Sequence, residues 1–356
     1  MLNDRISRWL RLSSAAKVSS SFQETAIVLS TDTGLARKEN QDRVAMMRVS
    51  ASVNSSPFVV VALADGMGGM SDGAECAVQT LSVFFNAIVR LRNYPPQEML
   101  RAASLEANMA VFSLADGKGG ATLSAIFISN NSPLISLNIG DSRIYGRSHS
   151  EIEPIIRLTV DDNLEEVVGG TGTELLQFSG MGRGLKPHIA LIPDGINRLL
   201  ITSDGVHFIN KNVLNDILLN TKDVSDASKQ LLTYVRWRGA PDNASLAIID
   251  VKDVVLGLKY EASGIELADP SGMLEIAWIK QDASEPSPYA PSPSFTEPER
   301  EVKERATPPT EKKKGKKDKP VVSSRKKQID DEAGHQFSIQ IDTTPINEDP
   351  EIGIDK

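Results

Sequence analysis

Five aspartates stand in turns or where an apolar run gives way to glycine or asparagine: Asp42 after Asn40-Gln41, Asp65 before Gly66, Asp141 after Gly140, Asp204 before Gly205 and Asp242 before Asn243. A carboxylate at the end of a buried strand is held in place, and a neighbouring glycine leaves its backbone carbonyl open. Together they offer hard oxygens to a divalent cation such as Mg²⁺ or Mn²⁺. Taken singly, each is also what a tight turn with a solvated Asp looks like. The construction recurs, however. The apolar run 58–64 enters Asp65-Gly66-Met67-Gly68-Gly69, and the run 199–201 leads through Thr202-Ser203 into Asp204-Gly205. If the five carboxylates converge, each close pair repels by about 4 kcal/mol at a separation of about 4 Å and an effective dielectric of about 20. Protonation, separation or a cation must relieve that, and two divalent ions would also activate a bridging water as a nucleophile.

The elements that must position these residues follow from periodicity. Ala26-Ile27-Val28-Leu29-Ser30-Thr31-Asp32 reads as a first strand, and 58–64, continuous and rich in Val, as a strand buried on both faces. Ala74, Ala77, Val78, Leu81, Phe85 and Ile88 share one face of a helix over about 71–92. After Pro95-Pro96 a second helix runs to about 114, carrying Met99, Leu100, Ala103, Ala107, Ala110 and Val111 inward. Strands follow at 121–128 and 134–139, then a glycine-rich, weakly periodic flap between Leu158 and Pro193, helices near 212–219 and 225–237, and a closing strand at 244–251. Two long helices in succession after a strand are not a simple βαβ alternation.

The chain has 356 residues, a net charge of −8 and one cysteine, Cys76. Apolar periodicity is dense to about residue 250 and sparse after about 280, which gives one core with a tail rather than several domains. A single Cys among small residues fits a packed helix position and a reducing compartment, the cytoplasm. No run is long enough for a transmembrane segment, the start lacks a signal peptide's apolar stretch, and the acidic balance speaks against nucleic acid. Leu2, Ile6, Trp9 and Leu10 share one helical face that would dock on the domain. His149, His188, His207 and His335 show no ligand spacing, although His207 lies close enough to Asp204 to tune its surroundings.

In order along the chain come Arg37-x-x-Asn40-Gln41-Asp42, Ala64-Asp65-Gly66-Met67-Gly68-Gly69, Gly120-Ala121-Thr122-Leu123, Gly140-Asp141-Ser142-Arg143, Leu158-Thr159-x-Asp161, Ser203-Asp204-Gly205 and Asp242-Asn243-Ala244-Ser245. This series resembles the bacterial branch of the type 2C (PPM) metal-dependent Ser/Thr protein phosphatases over about residues 27–251. The resemblance implies an α+β fold, a four-layer α-β-β-α sandwich of two antiparallel sheets flanked by helix pairs. It also implies two Mn²⁺ or Mg²⁺ ions at one edge. Asp65 would bridge them, Gly66 would offer its carbonyl, and Asp204, Asp242 and Asp42 would complete the set. Asp141 with Asp204 matches the positions of a weaker third metal. Arg37 would bind the substrate phosphate, and Arg37, Asp42 and Asp65 would carry the catalysis of a metal-bridged water attacking phosphorus. The partners implied are phosphorylated proteins and a cognate Ser/Thr kinase.

The departures are Gln41 where many relatives have Glu, Met67 where eukaryotic members have a His, Phe208 where many have a further Asp, and Asp161-Asp162-Asn163 in place of the usual Asp-His. The alternatives left standing are a non-catalytic phosphoprotein-binding scaffold of the same fold and a phosphohydrolase of small molecules.

The organisation expected is an N-terminal arm at 1–22, the phosphatase domain at 23–252, a short extension with a docked hairpin at 253–280, and a disordered Pro-rich and charged tail at 281–356. The basic run 312–319 is a solvated linker or an electrostatic tether. The alternating segment 337–342 would suit addition to a further protein's sheet edge.

Overall fold

The computed structural model describes residues 2–12, 17–22, 26–51, 55–67, 72–148, 154–169, 172, 174–258, 264–272 and 274–277, all within the first of two units, Met1–Phe295. Gly68-Gly69, His149, His335 and the readings made of 281–356 (tail, tether and added strand) lie outside the described residues.

The chain begins with α1 (Leu2–Leu12), β1 (Lys17–Phe22), β2 (Ile27–Asp32), β3 (Arg43–Val49) and β4 (Phe58–Ala64). The helix pair α2 (Gly73–Arg90) and α3 (Pro96–Leu114) follows, then β5 (Leu123–Ser129), β6 (Ile135–Ile139), β7 (Arg143–Ser148), β8 (Ile156–Arg157), α4 (Leu164–Val168) and β9 (His188–Leu191). Next come β10 (Ile196–Thr202), α5 (Asp204–His207), α6 (Lys211–Asn220), α7 (Val224–Trp237), β11 (Ala244–Asp250), α8 (Val251–Gly257), β12 (Ile265–Ala268) and β13 (Leu274–Ala277).

Two antiparallel sheets form, ordered β1-β2-β11-β10-β7-β8 and β13-β12-β3-β4-β5-β6-β9. Side-chain alternation along each strand builds three apolar layers. Phe58, Val60, Ala62 and Ala64 of β4 pack with Leu81, Phe85 and Ile88 of α2 and Leu100 and Ala103 of α3. Val59, Val61 and Leu63, on the opposite face, meet Ile27, Leu29, Leu199, Ile201 and Ala247 from the other sheet. Val28, Leu200 and Ile248 face outward onto Leu231, Leu232 and Val235 of α7. The four-layer α-β-β-α sandwich expected from the resemblance is what forms. Every residue of β4 is buried, which is why its sequence shows no polar alternation.

Pro96 opens α3 at the position where a missing N–H matters least. Cys76 is a buried residue of α2. The first 22 residues do more than an arm would. Ile6, Trp9 and Leu10 of α1 are part of the layer over α2, and β1 pairs with β2 from Lys17↔Asp32 to Phe22↔Ile27. β1 is only half buried on alternate residues and serine-rich, as an edge strand can be, so it carries little apolar signal. β12 and β13 form a hairpin that joins β3, with Leu267 opposite Met47.

Candidate active site

Antiparallel pairing brings the end of β4 and the starts of β3, β5 and β11 to one edge, together with the ends of β2, β6 and β10. Arg37, Asp65, Gly66, Asp141, Asp204 and Asp242 line a cleft of about 580 Å³ there, with Gln41, Met67, Arg143, Asp161, His207 and Phe208. Asp42 lies buried behind the cleft, its Oδ2 accepting from Ser203 Oγ at 2.8 Å. All the sequence-predicted site residues are therefore brought to one place.

Cross-links between the motifs hold them there. The Asp65 N–H donates to Thr122 Oγ1 and the Thr122 N–H to Asp65 O, both at 2.9 Å. Thr122 Oγ1 and Ser142 Oγ are 2.8 Å apart, tying in the turn that carries Asp141. Asn243, beside Asp242, accepts from the Gln41 N–H at 2.9 Å and donates Nδ2 to Thr33 O and Glu39 O. Two glycines are required by contact: a Cβ on Gly66 would come 2.2 Å from Gly73 O, and one on Gly205 would come 1.8 Å from Asn243 O.

Asp161 accepts two bonds from Arg143 Nε and one from Nη2, and pairs with Arg157 at 2.6 Å. Asp162 takes the Gly140 N–H at 3.0 Å and is met by Gln177 and His188 at 2.8 Å. Sequence reasoning passed over Ser203, Thr122 and Asn243 as bracing groups, and gave His188 no partner. The flap adds Asn163, Glu165, Glu174 and Leu175 to the cleft wall.

The electrostatics are those of crowded like charges. Burial, then Asp42, Asp204, Asp141 and Asp242, hold the Asp65 carboxyl well above the usual carboxylate range. Burial pushes Asp42 up to about 6, against the pull of Ser203 and Ser245. Burial, then Asp204 and Asp161, pushes Asp141 up to about 7. Asp204 is raised by desolvation and by Asp242. Arg37 donates Nη2 to Asp242 Oδ2 at 2.6 Å, which raises its own pKa. His207, with Nδ1 3.0 Å from Thr202 Oγ1, is held well below its ordinary value by burial, Arg143 and Arg157.

Among the described residues no three His, Cys, Asp or Glu side chains stand as a ready-made ion cage. The donor set still fits a hard divalent cation. It is all oxygen, it repels itself without one, and the buried Asp42 Oδ1 has no hydrogen-bond partner.

A pH dependence follows. Above about pH 4, where ordinary aspartates ionise, the folded chain without ions keeps a proton on Asp42 to about pH 6 and on Asp141 to about pH 7 that the unfolded chain has lost, and the raised Asp65 acts in the same direction. Proton binding is greater in the folded state there, so this contribution to stability falls as pH rises. His207, kept neutral by burial, acts in the opposite direction below its ordinary value. Asp141→Asn separates the two. In EDTA the variant is expected to melt close to the parent below about pH 4, where Asp141 is protonated in both states, and about 5 °C above it at pH 7.5. Equal melting at pH 7.5 would contradict the repulsion.

The sandwich fold, with its series of motifs at one sheet edge, is similar to that of PPM-type Ser/Thr phosphatases. The structure of the PPM Ser-Thr phosphatase MsPP from Mycobacterium smegmatis in complex with cacodylate matches at a TM-score of 0.52 and 25% identity, covering 63% of this chain and 97% of that one. The catalytic domain of the serine threonine protein phosphatase PstP in complex with two manganese ions matches at 0.50 and 24% identity, over 66% and 98%. In sequence the chain is 28% identical over 249 residues to the serine/threonine protein phosphatase PstP of Mycobacterium tuberculosis, a match to 64% of this chain and 45% of the relative. The chain thus spans about half the length of the curated relatives it matches. No protein-family model matches it. The likeness to bacterial PPM phosphatases drawn from the motifs is therefore found again in both sequence and fold.

Proposed function

We propose that this chain is a metal-dependent phosphatase that hydrolyses phosphoserine and phosphothreonine on proteins, opposing a Ser/Thr kinase of the same cell. The observation that carries the reading is the gathering of Arg37, Asp65, Asp141, Asp204 and Asp242 on one cleft with Asp42 behind it. Asp65, with the Gly66 carbonyl, Asp204, Asp242 and Asp42 would hold two Mn²⁺ or Mg²⁺ ions, and Asp141 with Asp204 a weaker third. When bound, the ions supply an activated water and positive charge against the phosphoryl oxygens.

The chain's own residues do the rest. Arg37 presents a planar fork of donors to the phosphate and releases Asp242 as it does so. Ser203 and Thr122 keep Asp42 and Asp65 aimed, and the Arg143–Asp161 pair fixes the turn under Asp141. Met67 on the cleft wall offers no proton, so leaving-group protonation falls to solvent. The single, buried Cys76 supports a reducing compartment, the cytoplasm. Among the described residues no helix is long and apolar enough to cross a membrane.

The test is turnover of a phosphothreonine peptide and of p-nitrophenyl phosphate by the full chain, each with Mn²⁺ and with EDTA. Hydrolysis of both with Mn²⁺, lost in EDTA, is the expected result. No turnover of either would favour the phosphoprotein-binding scaffold, and turnover of the small ester alone would favour a small-molecule phosphohydrolase.

A further inference from the structure

Arg43, the first residue of β3 and the neighbour of Asp42, is buried. Its side chain does not line the cleft, and among the described residues it makes no ion pair with a carboxylate. Instead Nε donates to Leu10 O at 3.0 Å, and Nη1 donates to Asn40 O at 2.8 Å and Asp42 O at 2.7 Å. One guanidinium therefore joins the end of α1 to the loop that delivers Asp42. We propose that Arg43 is a positioning residue through which the first helix holds the Asn40–Asp42 loop, and hence Asp42, in place. This rests on the reading of Asp42 as part of the active site.

Leu10 lies in the last turn of α1, where backbone carbonyls have no partner within the helix and the dipole is negative. A guanidinium answers both needs, with charge-assisted bonds. Burial works against its charge, which Asp42, Glu75, Asp269 and Glu39 favour. So Arg43 cannot give up the Leu10 carbonyl without leaving a buried Nε–H unpaired, a loss of the kind that shifts equilibria about 10-fold.

The same helix is anchored twice more. Ile6, Trp9 and Leu10 are buried against the α2 layer, and Arg11 pairs with Glu75 in the first turn of α2, its Nε donating to Oε2 at 2.8 Å. That turn starts at Gly73, whose Cβ would come within 3.0 Å of the Gln41 side chain. The helix thus braces the loop directly through Arg43 and from the side through the start of α2. Undocking it exposes three apolar side chains and frees Arg43, and the loop carbonyls of Asn40 and Asp42 lose their common donor.

The experiment uses the full chain, with hydrogen exchange followed by mass spectrometry and Mn²⁺ affinity by calorimetry. Arg43→Met is expected to raise exchange in residues 38–44 about 10-fold while leaving 196–202 and 244–250 unchanged, and to weaken Mn²⁺ binding about 10-fold. Ile6→Asp, which undocks α1, should reproduce both changes. The double variant should lose clearly less than the sum of the two single ones, because both break the connection through Arg43. Arg43→Lys, which keeps a donor, should recover part of the loss. If Ile6→Asp does not fold, Arg11→Ala at the exposed helix end should give a smaller rise in the same segment. Unchanged exchange at 38–44 in folded Arg43→Met, or losses that add in the double variant, would overturn the proposal. A parent chain that binds no Mn²⁺ would defeat the metal-dependent reading instead, and exchange would still decide the role of Arg43.

Discussion

Asn in place of Asp65 is expected to lower Mn²⁺-dependent turnover of a phosphothreonine peptide at least ~10³-fold, equivalent to about 4 kcal/mol of transition-state stabilisation. Asp65 lines the cleft with four other carboxylates acting on it, and in the proposed metal site none of them would take its place between the ions. Asn keeps the shape and the backbone bonds to Thr122 but removes one negative charge. Two opposite effects then separate function from folding. In EDTA the variant should melt at a higher temperature than the parent at pH 7.5, because a crowded, desolvated charge is gone. With Mn²⁺ the order should reverse, since the parent gains the binding energy and the variant does not. Thermal melts in the two buffers, beside initial rates, check this. A variant that is merely unfolded would melt lower in both.

Arg37→Ala carries the second large effect. The guanidinium is partly exposed and bonded to Asp242 at 2.6 Å, so it occupies a carboxylate that the proposed metal site would use. Removing it should reduce kcat/KM for the peptide about 100-fold through loss of charge-assisted bonds to phosphate. Mn²⁺ affinity, by contrast, should stay equal or rise, because the competitor for Asp242 has gone. Lys at this position should restore only part of the rate, being a point charge without the planar fork. Steady-state kinetics with calorimetry of the same samples reads both. A fall in metal affinity alongside the rate would place Arg37 among the structural supports instead.

Much of this was legible in the sequence because the chemistry sits at strand ends. Apolar runs that stop on Asp-Gly mark both the strand and the ligand candidate, and β4, β10 and the α2–α3 pair follow from period alone. Asp42 stood out only as one of several turn aspartates, and its role came from its place in a series of motifs, since Asn40-Gln41-Asp42 in isolation is an ordinary turn. The braces were not legible. Ser203 reaches Asp42, and Asn243 reaches the Gln41 amide, across more than a hundred and fifty residues of chain, and a polar side chain gives no local sign of a distant partner. α1 presented an apolar face but no sign of which surface it would cover. β1 and β9 are short and sit at sheet edges, where half-exposed residues blur the alternation. Nothing in the sequence marked Arg43, whose backbone acceptors lie partly in α1, more than thirty residues away.

The most direct test is a crystal of the full chain grown with Mn²⁺ and measured at the manganese absorption edge. Two anomalous peaks about 3.5–4 Å apart, both within bonding distance of Asp65, with Asp242 turned from Arg37 toward one of them, are the expected result. No peak in the cleft at saturating manganese, with Arg37 still bound to Asp242, would contradict the metal-centred reading of this site.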